Sequence, residues 1–247
     1  MDKYSFLVEK NCAVKIIGIE KMFSRRNQVY LLNTVAGGNR PVKYLAKVGI
    51  ESRAAKESAR LRELKALGIN VPTVVWSNQQ IIVMEYIDGI LLADLMENKE
   101  LMMQKQWLKH LVVWLAGLHS IQNVEQKVFC VPDLNLRNFI YTGRGIVGID
   151  YEKTVWDRPE RDLGGILAFI LNSNPMFTPE KYEVIYQLLL MYREIREINL
   201  DMVEEYFFIE MEKAAKRRKK QREYLLTKIS ELKENGFLNS TNLRDFA

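Results

Sequence analysis

Apolar residues in the first third of the chain come in short strand-like runs, and beyond it they recur at helical spacing. Residues 13–20 (AVKIIGIE), 28–35 (QVYLLNTV) and 42–50 (VKYLAKVGI) are rich in β-branched and aromatic residues and bounded by turn chemistry, the signature of strands. The connecting segments KMFSRRN and AGGNRP are short, and Gly37-Gly38-Asn39 is a hairpin-type turn. Three such strands in succession predict an antiparallel meander. A helix follows over RAAKESARLRELKAL, which lacks both Gly and Pro. Ser52 is placed to cap it, Gly68 to end it in the left-handed conformation, and Val71-Pro72 to stop the chain going further. Residues 73–76 and 81–86 then read as a further strand pair about the turn Ser77-Asn78.

From Leu91 onward the spacing changes. Trp107, Leu108, Leu111, Trp114, Leu115 and Leu118 fall on one face of a helix over residues 104–120. A loop and a hairpin occupy 128–150. Helices are predicted again over 162–171, 179–198 and, as one long stretch, 200–235. Tyr182, Ile185, Leu188, Leu189 and Tyr192 form an apolar stripe, and Val203, Tyr206, Phe207, Ile209 and Met211 a second. Sheet composition gives way to helix between Tyr86 and Gly89. The pattern predicts an α+β chain of two lobes with a cleft: a small antiparallel-sheet lobe with one helix (1–86) and a larger helical lobe (87–247).

Composition narrows the classes. The 247 residues are 48% hydrophobic and 27% charged, ordinary for a folded domain. Two cysteines, Cys12 and Cys130, exclude a disulfide framework and a four-cysteine zinc site. Two histidines, His110 and His119, argue against a His-rich metal centre. No apolar run is long enough for a transmembrane span, and the first residues lack a signal pattern, so a cytoplasmic protein is expected. The net charge of +5 is not spread evenly: residues 213–222 (KAAKRRKKQR) hold seven of the 36 basic residues, and the remaining 29 face 31 acidic ones. The segment is either a solvated helix face or a contact for an anionic partner, nucleic acid or membrane.

The chemistry concentrates in VFCVPDLNLRNFIYTGRGIVGIDYE, residues 128–152. Asp133 and Asn138 are five apart, and Asn138 opens the run Phe139-Ile140-Tyr141. Folding the segment as a hairpin about Gly143 and Arg144 sets Asn138 beside Ile149 or Asp150. One amide and two carboxylates then share one end of the hairpin. Oxygen ligands of this kind, incomplete in number, suit Mg²⁺ shared with phosphates. Upstream, Glu57, Leu61 and Leu64 are spaced i, i+4, i+7, so Glu57 lies on an apolar helix face and requires a partner. Lys47 in the third strand is the candidate, with Lys43 on the same strand face as its rival.

These residues resemble the kinase-like phosphotransferase superfamily, in particular the aminoglycoside and choline phosphotransferases and the small atypical, RIO-like kinases. PDLNLRNFI is similar to their catalytic-loop signature and GIDYE to their metal-binding Asp motif. The resemblance implies a bilobal protein-kinase-like fold and an ATP- and Mg²⁺-dependent transfer of the γ-phosphate to a hydroxyl acceptor: a small molecule, a glycan or lipid, or a protein Ser/Thr. By that resemblance Asp133 orients or deprotonates the hydroxyl, Asn138 and Asp150 hold Mg²⁺, and Lys47, fixed by Glu57, binds the phosphates. IIVMEYIDG resembles the hinge, with backbone at Glu85 and Ile87 meeting adenine. LAGLHS makes His119 structural, and RDLGGIL makes Asp162 the brace of the catalytic loop. In aminoglycoside-type relatives the late helices shape the acceptor pocket, which implies Glu204, Glu205 or Glu210 facing a cationic acceptor.

Two departures stand out. Val131 occupies the position where most relatives have His, and KMFSRRN carries no glycine, leaving the Ser24 backbone with Arg25 and Arg26 as phosphate contacts or as an ordinary turn. They motivate a second reading, a nucleotide-binding pseudokinase without turnover. A third reads the basic segment 213–222 as the functional element, binding nucleic acid or membrane.

Overall fold

The strand-forming runs assemble into one antiparallel sheet. The computed structural model describes residues 2–24, 28–49, 53–151 and 154–238. The chain divides into two compact units, Met1–Asp88 with Val147–Lys153, and Gly89–Ile146 with Thr154–Ala247.

The first unit begins with helix α1 (Asp2–Cys12), continues through β1 (Lys15–Met22), β2 (Gln28–Ala36) and β3 (Arg40–Val48), and then forms α2 (Arg53–Ala66), β4 (Val74–Ser77) and β5 (Ile81–Glu85). The strands lie in the order β1-β2-β3-β5-β4. The β2–β3 link is the glycine turn, with Gly38 at φ +74°, a conformation open to glycine. Asn78 closes the β4–β5 turn, its side-chain oxygen accepting the N–H groups of Gln80 and Ile81. Gly68 follows α2 at φ +81°, as expected. Ser52, the expected cap, lies outside the described residues.

Two helices accompany this sheet where the sequence pattern predicts one. Tyr4 and Val8 of α1 pack on Leu32, Ala46, Ile81 and Val83, the Tyr4 hydroxyl donates to Gln80 Oε1, and Glu9 accepts the Ile16 N–H. Among the described residues of α1 this pair is buried and Cys12 packs partly against the same cluster, while Phe6 is 71% exposed, so little apolar periodicity marks the helix. Tyr44, Ala46 and Val48 face α1. Strand alternation therefore sends Lys43, Leu45 and Lys47 to the opposite face, where α2 buries Glu57, Leu61 and Leu64.

The second unit contains β6 (Ile90–Leu91), α3 (Leu92–Leu95), α4 (Lys99–Met103), α5 (Gln106–His119), β7 (Val128–Cys130), β8 (Phe139–Tyr141), the start of β9 (Ile146–Gly148), β10 (Val155–Asp157), α6 (Pro159–Leu171), α7 (Pro179–Arg193), α8 (Leu200–Arg217) and α9 (Arg222–Asn235). β6 pairs with β8 and β10 with β7, both antiparallel. The six apolar residues predicted on α5 are all buried. The predicted long helix breaks at Arg218 into α8 and α9, joined by a 3-10 turn at Lys219–Gln221. Arg218 leaves the helix and gives Nη1 to the carbonyl of Asn172 at 2.6 Å. On α8, Ile209 is 39% exposed rather than core, and Glu210 is buried. No helix among the described residues is long and apolar enough to cross a membrane.

Two buried features fix the helical unit. Lys181, 1% exposed, gives its three ammonium protons to Ser173 O, Ser173 Oγ and Pro175 O, each at 2.7 Å. α6 and α8 cross closely at Gly164. A methyl group there would lie 2.5 Å from the carbonyl oxygen of Val203 and 2.6 Å from the Phe207 nitrogen. Both are backbone atoms, so Gly164→Ala is expected to lower the unfolding free energy by about 2 kcal/mol, measured by urea denaturation. Unchanged stability would show that the crossing yields more easily than its packing implies.

Candidate active site

In the first unit the ammonium of Lys47 sits between two carboxylates. Lys47 Nζ is 2.7 Å from Glu57 Oε2 and 2.5 Å from Asp150 Oδ1. β3 supplies the lysine and α2 the glutamate, while the aspartate comes from the return segment, where Gly148 N–H bonds the Asn70 carbonyl. Burial works against the charge on Lys47, but the two carboxylates outweigh it and hold its pKa above the ordinary lysine value. Glu57 is 3% exposed and Asp150 49%, so the pair has a buried end and an open end. Asp150 adopts φ +67°, a conformation uncommon for a residue with a side chain and found at sites where geometry outranks comfort. Lys43 takes a different partner, its ammonium 5.7 Å from the Tyr86 ring centroid, which settles the choice between the two lysines for Glu57.

Glu85 ends β5. Its N–H bonds the carbonyl of Thr73 at 2.9 Å and its side chain accepts the Thr73 N–H. Ile87 lies just beyond the strand, half-buried. Ser24 is exposed; Arg25 and Arg26 lie outside the described residues.

In the second unit the loop after β7 alternates inward and outward. Leu134 and Leu136 are buried, while Asp133 and Arg137 are exposed and Asn135 is half-buried. Asp133 Oδ1 accepts the Asn135 N–H at 3.3 Å, and Asn135 Oδ1 accepts that of Arg137 at 3.0 Å. Asn138 donates its side-chain N–H to the Asp133 carbonyl at 3.1 Å, so its amide oxygen is the side-chain atom that could hold a metal. A hard carboxylate and an amide oxygen are donors that suit Mg²⁺.

Beneath the loop, Asp162 is fully buried and its Oδ2 accepts the Val131 N–H at 2.9 Å. His119 lies between Asp162 and Tyr192, with Nε2 3.3 Å from Asp162 Oδ2 and Nδ1 2.7 Å from the Tyr192 hydroxyl. Burial pushes the Asp162 carboxyl up, against the hydrogen bonds from His119 and Val131 that lower it. Val131 is 2% exposed, so the residue replacing the usual His packs in the core while its backbone still ties the loop to Asp162. His119, Cys130 and Asp162 are the one close group of metal-ligating side chains among the described residues. Its Asp162 Oδ2 accepts the Val131 N–H, and burial pushes the Cys130 thiol far up, so the group serves as the loop's anchor.

Tyr192 and Asp94 escaped the sequence reading. Tyr192 sits in an apolar stripe that reads as packing, and nothing in that stripe marks its hydroxyl. Asp94 stands 3.8 Å from Arg137, a long-range pair without local signature. Glu210 is buried and pairs with Lys213 and Arg217. Glu205 is exposed, and Glu204 accepts the Leu238 N–H.

The RIO domain family matches residues 4–163, and the chain belongs to that family. Solved structures with the same fold include a choline kinase of Cryptosporidium parvum (13% identity, 96% of this chain and 97% of that chain, TM-score 0.67). An aminoglycoside phosphotransferase of Streptomyces rimosus, in complex with ADP and streptomycin, matches at 14% identity over 84% of this chain and 97% of that one, TM-score 0.58. An ethanolamine kinase of Plasmodium vivax matches at 12% identity over 78% and 73%, TM-score 0.58. At these identities the likeness is one of fold: kinase-like, within the phosphotransferase superfamily. No curated protein matches the chain by sequence.

Removing Lys47 or Glu57 breaks the same buried interaction, so their effects on stability should not add. A cycle of Lys47→Met, Glu57→Gln and the double variant is expected to give a coupling of about 2 kcal/mol, measured by chemical denaturation. Additive losses would mean the pair contributes nothing beyond its separate parts.

Proposed function

We propose that this protein is an ATP- and Mg²⁺-dependent phosphotransferase that moves the γ-phosphate to a hydroxyl acceptor. The observation that carries this reading is the Lys47 ammonium held by buried Glu57 and half-exposed Asp150. In a kinase-like fold that arrangement supplies a fixed cation for phosphate oxygens and a carboxylate for the metal. Asp150 and the amide oxygen of Asn138 would hold Mg²⁺, which when bound neutralises charge on the phosphates. Lys47 would bind the phosphates, with Glu57 fixing its direction. Asp133 would orient the acceptor hydroxyl and take its proton as the oxygen attacks phosphorus and the bond to the ADP oxygen breaks. Backbone at Glu85 and Ile87 would meet adenine; since the Glu85 N–H is given to Thr73, the contact there would fall to its carbonyl. Catalysis would then rest on positioning and charge neutralisation rather than on a covalent intermediate.

The acceptor is a small molecule in this reading. Similar solved structures include a choline kinase, an ethanolamine kinase and a phosphotransferase complexed with streptomycin, which makes hydroxyl-bearing amines the first acceptors to assay. The unpaired state of both cysteines and the need for ATP support a cytoplasmic setting. Val131 motivates the alternative of a nucleotide-binding scaffold without turnover, yet the Val131–Asp162 hydrogen bond keeps the loop tied down without the missing His.

Asp150→Asn keeps the side-chain volume and removes the charge. It is expected to lower Mg²⁺-dependent ATP turnover by about 100-fold or more with an unchanged circular dichroism spectrum. Full turnover in this variant would refute the assignment. Mg²⁺–ATP binding by the wild type without turnover, over a broad panel of acceptors, would favour the scaffold.

A further inference from the structure

The corner between α8 and α9 concentrates positive charge that the fold itself does not consume. Of the seven cations in residues 213–222, Lys213 and Arg217 pair with buried Glu210 at 3.3 and 2.7 Å. Arg218 is turned inward onto the Asn172 carbonyl, its pKa lowered by burial and by neighbouring Arg217. Lys216, Lys219, Lys220 and Arg222 are exposed and join no ion pair among the described residues. Like charges this close repel one another, and a solvated helix face ordinarily offsets them with acids at i, i+3 or i+4. Of the acids at that spacing, Glu212, four before Lys216, is taken by Lys233, and Glu223, three and four beyond Lys220 and Lys219, joins no ion pair with them among the described residues.

The corner is also anchored. The Glu210 pairs hold the last turns of α8, and Arg218 ties the break to the α6–α7 link. Tyr224, 44% exposed, rests edge-on against Phe177 with centroids 5.9 Å apart. Four cations outside any ion pair among the described residues thus lie within nine residues, 216–224, of an accessible aromatic ring on a fixed turn, the combination that takes a phosphate backbone and a stacked base. A bilayer surface is the poorer match, because a helix lying in an interface needs a broad apolar face. α9 instead exposes Glu223, Glu231 and Glu234 beside Leu226. The rest of the chain is close to neutral, so the attraction is confined to this corner.

We propose that the α8–α9 corner is a binding surface for single-stranded nucleic acid, with Lys216, Lys219, Lys220 and Arg222 on phosphates and Tyr224 stacking on a base. It is independent of the phosphotransferase assignment. The test is fluorescence anisotropy of the full chain with a short, labelled single-stranded RNA of mixed sequence. Four phosphate contacts predict that affinity falls about 50-fold between about 50 and 200 mM salt. The variant K216Q/K219Q/K220Q/R222Q is expected to lose at least tenfold in affinity at low salt and most of the salt dependence, with unchanged thermal unfolding. Tyr224→Ala alone is expected to cost about fivefold or more, which keeps the test open should the quadruple variant not fold. Absent RNA binding at low salt, or equal binding by wild type and Tyr224→Ala together with an undiminished quadruple variant, would overturn the proposal. So would binding to phosphatidylserine-containing vesicles without binding to RNA, which would assign the corner to a membrane.

Discussion

An ammonium group wedged between a buried and a half-exposed carboxylate organises the sheet unit. Glu57 is nearly inaccessible, and a carboxylate in that position is costly unless a cation answers it. Lys47 is that cation, and its own burial is offset only because Glu57 and Asp150 both stand against it. The interaction ties three parts of the chain to one point: β3, α2 and a segment a hundred residues further on. It also explains why Lys47 points where it does. The face of β3 that carries Tyr44, Ala46 and Val48 is filled by α1, so the alternate positions are left for polar work.

The helical unit solves a parallel problem by different means. Asp133 and Asn138 sit on an exposed loop with little packing of its own, and the loop owes its order to what lies beneath. Leu134 and Leu136 are sunk into the core, and Asp162, reached through the backbone of Val131, holds the chain before the loop begins. His119 and Tyr192 complete that buried set. This division between an exposed loop and a dry base that holds it explains how Val131 ties the loop down through its backbone alone.

Much of this was legible in the sequence, and the reasons are specific. Glu57 announced a missing partner because it is an acid on an apolar helix face, while the choice of Lys47 over Lys43 came from the family resemblance and not from the spacing. The loop residues could be found because an acid and an amide five apart, followed by a hairpin ending in Asp, form an ordered set. Gly68 and the turn at Gly38 could be placed because the left-handed angles these two adopt are nearly closed to other residues. What stayed hidden depended on long-range contacts. Among its described residues α1 buries Tyr4 and Val8, too few to mark a period. The break at Arg218 follows from its bond to Asn172, which no local propensity foretells, and Glu210 is buried only because Lys213 and Arg217 close over it. The left-handed backbone of Asp150 belongs to the same class: an aspartate at a strand end gives no hint of it.

If the Lys47–Glu57 pair is what prepares the sheet unit for a nucleotide, loosening it must weaken binding before any chemistry occurs. The direct measurement is equilibrium binding of a fluorescent ATP analogue in the presence of Mg²⁺, comparing wild type with Glu57→Gln. The account predicts a loss of about tenfold or more, the effect of freeing one partner of a charged hydrogen bond, with Lys47 still present. Equal affinity in the two proteins would contradict it.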